Sequence, residues 1–180
     1  MKIPADKVLI FDADVLIHFM RAGCFSDLKR IYPDNKKAVL QKVYDELQVY
    51  KESKVMLDNA IETFKFLQLV KFPLSIEMTK EFAHLVSPIM NLGKGESACM
   101  SYCKFTKDVV VSSNLKDVKE YCKRHSIDLL TTMDLLNWAF QNAIYTENDC
   151  NAFINDVLKK DGRLPFSNMN DYFKSRLNQR

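Results

Sequence analysis

Short apolar runs alternate with segments of helical periodicity along most of this chain, and that alternation limits the folds it can adopt. The run Lys7-Val8-Leu9-Ile10-Phe11 is typical of a strand buried on both sides in a parallel sheet. Helical segments between parallel strands form the crossovers and cover both faces of the sheet. We therefore expect an α/β protein with three layers, α/β/α, around a central, mainly parallel sheet of four to five strands, followed by C-terminal helices.

The order of these elements can be predicted along the chain. Strands are expected at residues 7–11, 38–40, 66–70, 109–112 and 127–130. The first helix is expected to be capped by Asp14 and to end at Gly23. Helices are also expected at residues 43–50, 55–64, 76–90, 96–105, 115–125, 135–144, 146–160 and 167–177. In the helix at 43–50, Val43, Leu47 and Tyr50 should share one face.

Composition is that of an ordinary globular protein. The chain has 180 residues, with 47% hydrophobic and 27% charged content, which is enough for one domain with a full core. The first apolar run is too short for a signal peptide or a membrane span, and the odd count of five cysteines indicates reduced thiols, so we expect a cytoplasmic protein without a membrane segment. Residues 1–145 should form the main domain and residues 146–180 a helical extension, packed on that domain or on a partner, with a hinge at 162–165.

Three acidic residues and one amide are candidate functional residues, and Asp12, Glu46 and Asn114 among them stand where an α/β sheet places functional groups. Asp12 ends the first strand, Glu46 lies in the helix after the second, Glu96 opens a helix after Gly95, and Asn114 follows the fourth strand. Ligands bind outside the carboxyl ends of strands in such sheets. Each residue alone also has a structural explanation, because acids and Asn favour helix N-termini.

Converging carboxylates favour a divalent cation. Mg²⁺ prefers oxygen ligands, and a bound metal can activate water for attack on a phosphodiester. Without a cation, neighbouring carboxylates raise one another's pKa. A metal site is therefore the functional interpretation of the four positions taken together.

The order and spacing of these residues resemble the PIN-domain family, most closely the small bacterial PIN proteins, over roughly residues 7 to 145. The segments that carry the resemblance are Val8 to Ile17, Val43 to Leu47, Gly95 to Ala98, Val109 to Tyr121 and Thr131 to Leu136. The resemblance implies a PIN-like fold and a Mg²⁺- or Mn²⁺-dependent endoribonuclease that hydrolyses RNA with a metal-activated water. Relatives are often toxins of toxin–antitoxin pairs, so it also implies an antitoxin protein and a homodimer as partners.

By the same comparison, Asp12, Glu46 and Glu96 are the catalytic and metal-binding acids, and Asn114 occupies the fourth position, where relatives often carry Asp. Asn offers an oxygen ligand without a charge, which weakens a second metal and the expected turnover. Additional site candidates are Asp14, Ser113 and Asp117. Asp117 is the weaker of these, because one helical turn should direct it elsewhere. Asn114 also suits a plain helix N-cap, with Asp117 three residues on.

Basic residues give a weaker indication of RNA binding. The net charge of +3, from 26 Lys and Arg against 23 Asp and Glu, does not by itself indicate a nucleic-acid partner. Lys94 lies beside Glu96, while Lys116 and Lys119 share a helix face that could contact phosphates. A solvated helix face is the more common explanation of that stripe. His18 is expected to be a packing residue.

Two other functions remain open on the sequence. A catalytically weak PIN-like module that binds RNA or a protein is the first alternative, and Asn114 supports it. A phosphatase is the second, because Asp12-Ala13-Asp14 follows the first strand. Against a phosphatase, this motif leads directly into a helix without the expected Thr or Ser and Lys elements.

Overall fold

A computed structural model describes residues 2–177 of the chain. Within that range a central sheet has five parallel strands in the order β3-β2-β1-β4-β5. The strands are β1 Leu9–Phe11, β2 Lys37–Leu40, β3 Gln68–Val70, β4 Val109–Val111 and β5 Leu129–Leu130. The expected three-layer α/β/α fold with a parallel sheet is confirmed.

Nine α-helices accompany the sheet within the described residues. They are α1 Ala13–Arg21, α2 Gln41–Leu47, α3 Lys51–Asp58, α4 Ile76–Leu85, α5 Lys94–Thr106, α6 Leu115–His125, α7 Thr132–Gln141, α8 Glu147–Lys159 and α9 Met169–Leu177. A 3₁₀ helix at Phe25–Lys29 and a π-helical segment at Asn59–Thr63 complete the helical structure of this part of the chain.

The register of the parallel strands brings the carboxyl ends of β1, β2 and β4 to one edge of the sheet. Phe11 of β1 is level with Val39 on one side and with Val111 on the other. The amide of Asp12 donates to the carbonyl of Val111 at 2.9 Å, which fixes the position where β1 leaves the sheet. Side chains that follow β1 and β4 therefore share this edge.

The core lies on both faces of β1, whose three residues are almost fully buried. That burial explains the uninterrupted apolar run, since a parallel strand covered on both sides has no polar face. Phe19 of α1 meets Phe153 of α8 edge to face, with ring centroids 4.8 Å apart. The aromatic pair ties the C-terminal helices to the helix that begins at the end of β1.

Several helix predictions were wrong in detail; for example, the helices predicted to begin at Val55 and Leu135 begin at Lys51 and Thr132. Asp12, rather than Asp14, caps α1, because its side chain accepts from the amide of Ala13. The helix predicted to Tyr50 ends at Leu47, and Tyr50 is exposed at the start of α3 instead of sharing the buried face. The helix predicted at 76–90 ends at Leu85, since the chain turns away after Val86.

The connection between α8 and α9 folds tightly onto α8. The amide of Gly162 donates to the carbonyl of Val157 at 2.9 Å. A Cβ at Gly162 would lie 2.3 Å from Val157 Cγ1, so only glycine fits this approach. The hinge at 162–165 and the domain division at residue 145 stay predictions. No helix among residues 2–177 is both long enough and apolar enough to cross a bilayer.

Candidate active site

Asp12 lies at the point where β1 ends and α1 begins. Its Oδ1 accepts from the amide of Ala13 at 2.8 Å, and its Oδ2 accepts from Ser112 Oγ at 3.0 Å. Only 6% of the residue is exposed. Burial, followed by the negative charges of Asp14 and Glu96, raises the pKa of Asp12 well above its ordinary value, against the lowering effect of its two hydrogen bonds.

Glu46 approaches Asp12 across Gly95. Glu46 lies in the last turn of α2 and Gly95 in the first turn of α5. A Cβ placed on Gly95 would be 2.8 Å from Glu46 Oε2 and 3.5 Å from Asp12 Oδ1. The two carboxylates, separated by 34 positions in the chain, therefore converge on the space that a side chain at Gly95 would fill.

Glu96, the next residue of α5, is 9% exposed. Its Oε1 accepts from Asn114 Nδ2 at 2.7 Å. Burial raises the pKa of Glu96 to about 7, with further contributions from the charges of Asp117 and Asp14, while the hydrogen bond from Asn114 lowers it. A carboxyl group with this pKa is half protonated near neutrality unless a cation stabilises its charge.

Asn114 occupies the N-cap position of α6, but its side chain makes no capping hydrogen bond. Its amide group instead donates to Glu96. Asn114 therefore stands at the predicted N-cap position, but its side chain does not cap the helix. An Asp at this position could not donate this bond while ionised, so Asn and Glu96 are chemically matched.

Asp14 belongs to the same cluster through the loop after β4. Its Oδ2 accepts from the amide of Ser113 at 2.7 Å, and its Oδ1 from the amide of Val15 at 2.6 Å. Burial raises the pKa of Asp14 despite these bonds. Ser113 Oγ lies 2.7 Å from Thr132 Oγ1, which lies 2.9 Å from His18 Nδ1.

That chain of hydrogen bonds joins three elements behind the acids: α1, the loop after β4 and the start of α7. Burial, followed by the charge of Arg21, lowers the pKa of His18 to about 4. The imidazole is therefore neutral at pH 7 and suited to a hydrogen bond inside the fold, in agreement with the expected packing role.

The remaining candidates lie farther from the convergence of Asp12 and Glu46. Asp117 was expected to point elsewhere, yet its charge acts on Glu96 more strongly than that of Asp14 does. Lys94 and Lys116 are exposed at the starts of α5 and α6. Lys119 lines a separate cavity of about 440 Å³ near Tyr172 of α9, away from the acids' edge.

The donor set suits a hard divalent cation, because every candidate ligand is an oxygen and the acids share one edge of the sheet. Within residues 2–177, no group of three or more His, Cys, Asp or Glu side chains already has the spacing of a formed metal site. The acids therefore approach one another in pairs, held by Ser112, Ser113 and Asn114. A cation would have to draw Asp12, Glu46 and Glu96 closer together.

Sequence reasoning missed several residues of this edge. Gly95 lies in the segment Gly95 to Ala98, and a glycine directly before Glu96 indicates that other side chains approach the backbone closely there. Ser112 and Thr132 lie in segments that carry the family resemblance, but no role was predicted for either side chain, because their hydrogen bonds depend on which loops meet. A cleft of about 450 Å³ beside Asp14 was also unforeseen; it is lined by Asp14, Ile17, His18, Arg21, Ser113, Asn114 and Arg163.

Comparison with known families decides the classification. A family model described as a PIN domain matches residues 8–175. The chain belongs to the PIN-domain family. The resemblance found in the sequence is therefore confirmed. A search of curated proteins finds no significant match.

Membership places this PIN domain in a family of nuclease-like proteins that typically use divalent metals. The match runs through α8 and most of α9, so both C-terminal helices belong to the matched region.

Proposed function

We propose that this PIN domain is a Mg²⁺- or Mn²⁺-dependent endoribonuclease that hydrolyses phosphodiester bonds in RNA. The observation that carries the proposal is the approach of Asp12 and Glu46 to one point beside Gly95, next to the buried Glu96. Asp12 and Glu96 are buried, and neighbouring buried carboxylates are costly without a cation. A bound divalent ion would offset that cost, which is why the arrangement favours a metal-binding site.

Asp12, Glu46 and Glu96 would hold the ion, with Asn114 as a neutral fourth candidate. When bound, a divalent cation lowers the pKa of a coordinated water and offsets charge that accumulates on the phosphodiester. Since the Glu96 carboxyl has a pKa of about 7, ion binding near neutral pH would release protons from the protein.

The chain's own residues orient these acids. Ser112 and the amide of Ala13 each donate to one oxygen of Asp12, and Asn114 donates to Glu96 Oε1. Glu96 Oε2 and the second lone pairs of the Asp12 oxygens would then face the ion. Ser113 fixes Asp14 through its backbone amide. Side chains fixed in this way lose little additional freedom when the substrate binds.

Cleavage of a mixed pool of RNAs in Mn²⁺ tests the proposal. Wild-type protein should cut the pool, and Asp12→Asn should lose at least about a hundredfold in rate because a charged ligand is replaced by a neutral one. Asp45→Asn is the matched control, since Asp45 adjoins Glu46 but is exposed, and among residues 2–177 its side chain accepts only from Gln41 and Gln48. Equal cleavage by wild type and Asp12→Asn would refute the mechanism.

We also propose that the protein acts as a cytoplasmic toxin held inactive by an antitoxin, and that it forms a homodimer. Support comes from the family resemblance and from a groove of about 860 Å³ between α1 and the α2–α3 region, which both apolar and charged side chains line. Val49 and Tyr50 on this groove are 77% and 67% exposed. Expression in a bacterial host should stop growth for wild type and not for Asp12→Asn; unchanged growth with active nuclease would exclude the toxin role.

A catalytically weak module that binds RNA or protein is the second candidate, and Asn114 favours it. Its neutral amide leaves the fourth position without a charge, which reduces affinity for the ion. Calorimetric titration with Mn²⁺ discriminates the two functions. Binding in the micromolar range supports the nuclease, whereas no heat at millimolar Mn²⁺ supports the weak module.

A further inference from the structure

A cleft of about 450 Å³ extends from the acidic edge toward the C-terminal end of α1. Asp14, Ser113 and Asn114 line it on the side of the acids. Arg21 and Arg163 contribute its positive charges. The cleft is therefore acidic where it meets the proposed metal site and basic elsewhere.

Arg21 lies on the cleft because the periodicity of α1 places it on the same helix face as Asp14. It follows Asp14 by seven residues, two helical turns, so both side chains lie on one face of the helix. At the rise of an α-helix, the two Cα atoms are about 10 Å apart. The guanidinium is near the buried His18, because its charge contributes to the lowered pKa of that imidazole. Arg21 thus lies two turns along α1 from Asp14, a position that suits a phosphate next to the one held by the acids.

Arg163 is brought to the same cleft by the connection between α8 and α9. A Cβ on the preceding Gly162 would lie 3.2 Å from Arg21 Nη1, so the connection passes directly over the Arg21 guanidinium. Lys160 Nζ donates to the carbonyl of Arg21 at 2.5 Å and attaches the end of α8 to α1. Two distant parts of the chain are therefore fixed so that their guanidinium groups share one cleft.

Neither guanidinium forms an ion pair in the part of the chain that the structure describes. The ion pairs found between described side chains involve Arg30, Lys54, Lys104 and Arg176, and none includes Arg21 or Arg163. Two neighbouring cations repel each other unless an anion lies between them. Guanidinium groups bind phosphate with paired, charge-assisted hydrogen bonds, so a phosphate is the anion that this pair fits best.

We propose that Arg21 and Arg163 form a subsite for one backbone phosphate of the RNA strand, next to the phosphodiester that is cut. The subsite rests on the proposed ribonuclease function. It deepens that function by assigning a path to the strand, from the acids past Ser113 and Asn114 to the end of α1. Phosphate contacts of this kind position a strand without reading its sequence.

Binding of a fluorescent single-stranded oligoribonucleotide in EDTA, followed by anisotropy at several salt concentrations, tests the subsite without cleavage. The double variant Arg21→Gln/Arg163→Gln should bind about tenfold more weakly, and the slope of log affinity against log salt should be shallower by about 0.7, the value for one phosphate on a single strand. Arg21→Lys/Arg163→Lys should retain most of the slope, because it retains the charge.

Arg30→Gln is the matched control, since Arg30 is exposed, pairs with Asp27 and lies outside the cleft. It should bind RNA as wild type does. Thermal unfolding of each variant shows whether it is folded. A Gln pair that is folded and keeps the wild-type affinity and slope overturns the subsite, as does a Lys pair that loses as much slope as the Gln pair.

Cleavage by the same proteins in Mn²⁺ separates this proposal from the one it rests on. If wild type cuts RNA and the Gln pair binds and cuts as wild type does, the subsite fails and the nuclease stands. If wild type cuts nothing while the Gln pair loses affinity and slope, the nuclease fails and the cleft remains an RNA-binding site.

Discussion

At the scale of single residues, the proposed metal site depends on the hydrogen bonds that hold its buried acids in place. Glu96 is buried beside Asp117 and Asp14, and Asn114 donates to it. The family resemblance implied that Glu96 and Asn114 would belong to one site. It did not predict that the amide would bond the acid, since that depends on the distance between α5 and α6.

Replacement of Glu96 should change how stability depends on pH in the metal-free protein. The Glu96 carboxyl ionises at about 7 in the folded state and near 4.5 when unfolded. Between these values the folded state holds a proton that the unfolded state has released, so its contribution to the free energy of unfolding falls as pH rises. Glu96→Gln should remove this decline, which is on the order of 3 kcal/mol at most.

The measurement is urea unfolding of both proteins in EDTA from pH 4 to pH 8. His18 acts in the opposite direction, because its pKa is lowered from 6.5 to about 4 and its contribution rises with pH between those values. Both proteins retain His18, so the difference between them reports Glu96. A difference that stays constant over the whole range would contradict the raised pKa.

Gly95 gives a second test at this scale. Gly95→Ala would place a methyl group 2.8 Å from Glu46 Oε2 and displace that carboxylate, which is the end of a flexible side chain. We expect Mn²⁺ affinity to fall roughly tenfold, as for other changes that misplace a ligand, with less than about 1 kcal/mol lost in stability. Calorimetry and urea unfolding measure the two quantities.

Gly93→Ala is the control for Gly95→Ala, because nothing lies within 4 Å of a Cβ at Gly93. It should leave Mn²⁺ affinity as in wild type. If Gly95→Ala also left the affinity unchanged, Glu46 would not be a ligand.

At the scale of elements, the chain shows which features follow from local patterns. The apolar runs at Leu9–Phe11 and Val109–Val111 were predictable, because strands buried on both faces cannot alternate. The helix predicted at 146–160 is also present, and it begins with a capping box of Thr146 and Asp149. The end of α2 was not predictable, since Tyr50 fits the helical period but the chain turns after Leu47.

The connection between α8 and α9 offers a test at this scale. Gly162→Ala would bring a Cβ to 2.7 Å from the Val157 carbonyl oxygen, where backbone must move. We expect a loss of about 1–3 kcal/mol, seen as a lower midpoint of thermal unfolding. Gly93→Ala is again the control. A midpoint equal to that of wild type would show that the connection is loosely packed.

At the scale of the whole molecule, the sheet order explains why distant residues form one edge. Strands β1 and β4 are neighbours, so Asp12 and Ser112 lie together although they are separated by 100 positions. Strand order of this kind was implied by the family resemblance, and it made the acids' edge predictable. The cleft that Arg21 and Arg163 line was not predictable, because the position of Arg163 depends on how the end of α8 packs on α1.

The most direct test of the central claim is a crystal soaked in Mn²⁺ and measured at the manganese absorption edge. If these acids bind the ion, an anomalous peak should appear at the acidic edge, about 2.0–2.2 Å from oxygens of Asp12, Glu46 and Glu96, as expected for a small divalent ion with carboxylate ligands. Saturating Mn²⁺ with no peak at this edge, or with Glu46 turned away from Asp12, would contradict this claim.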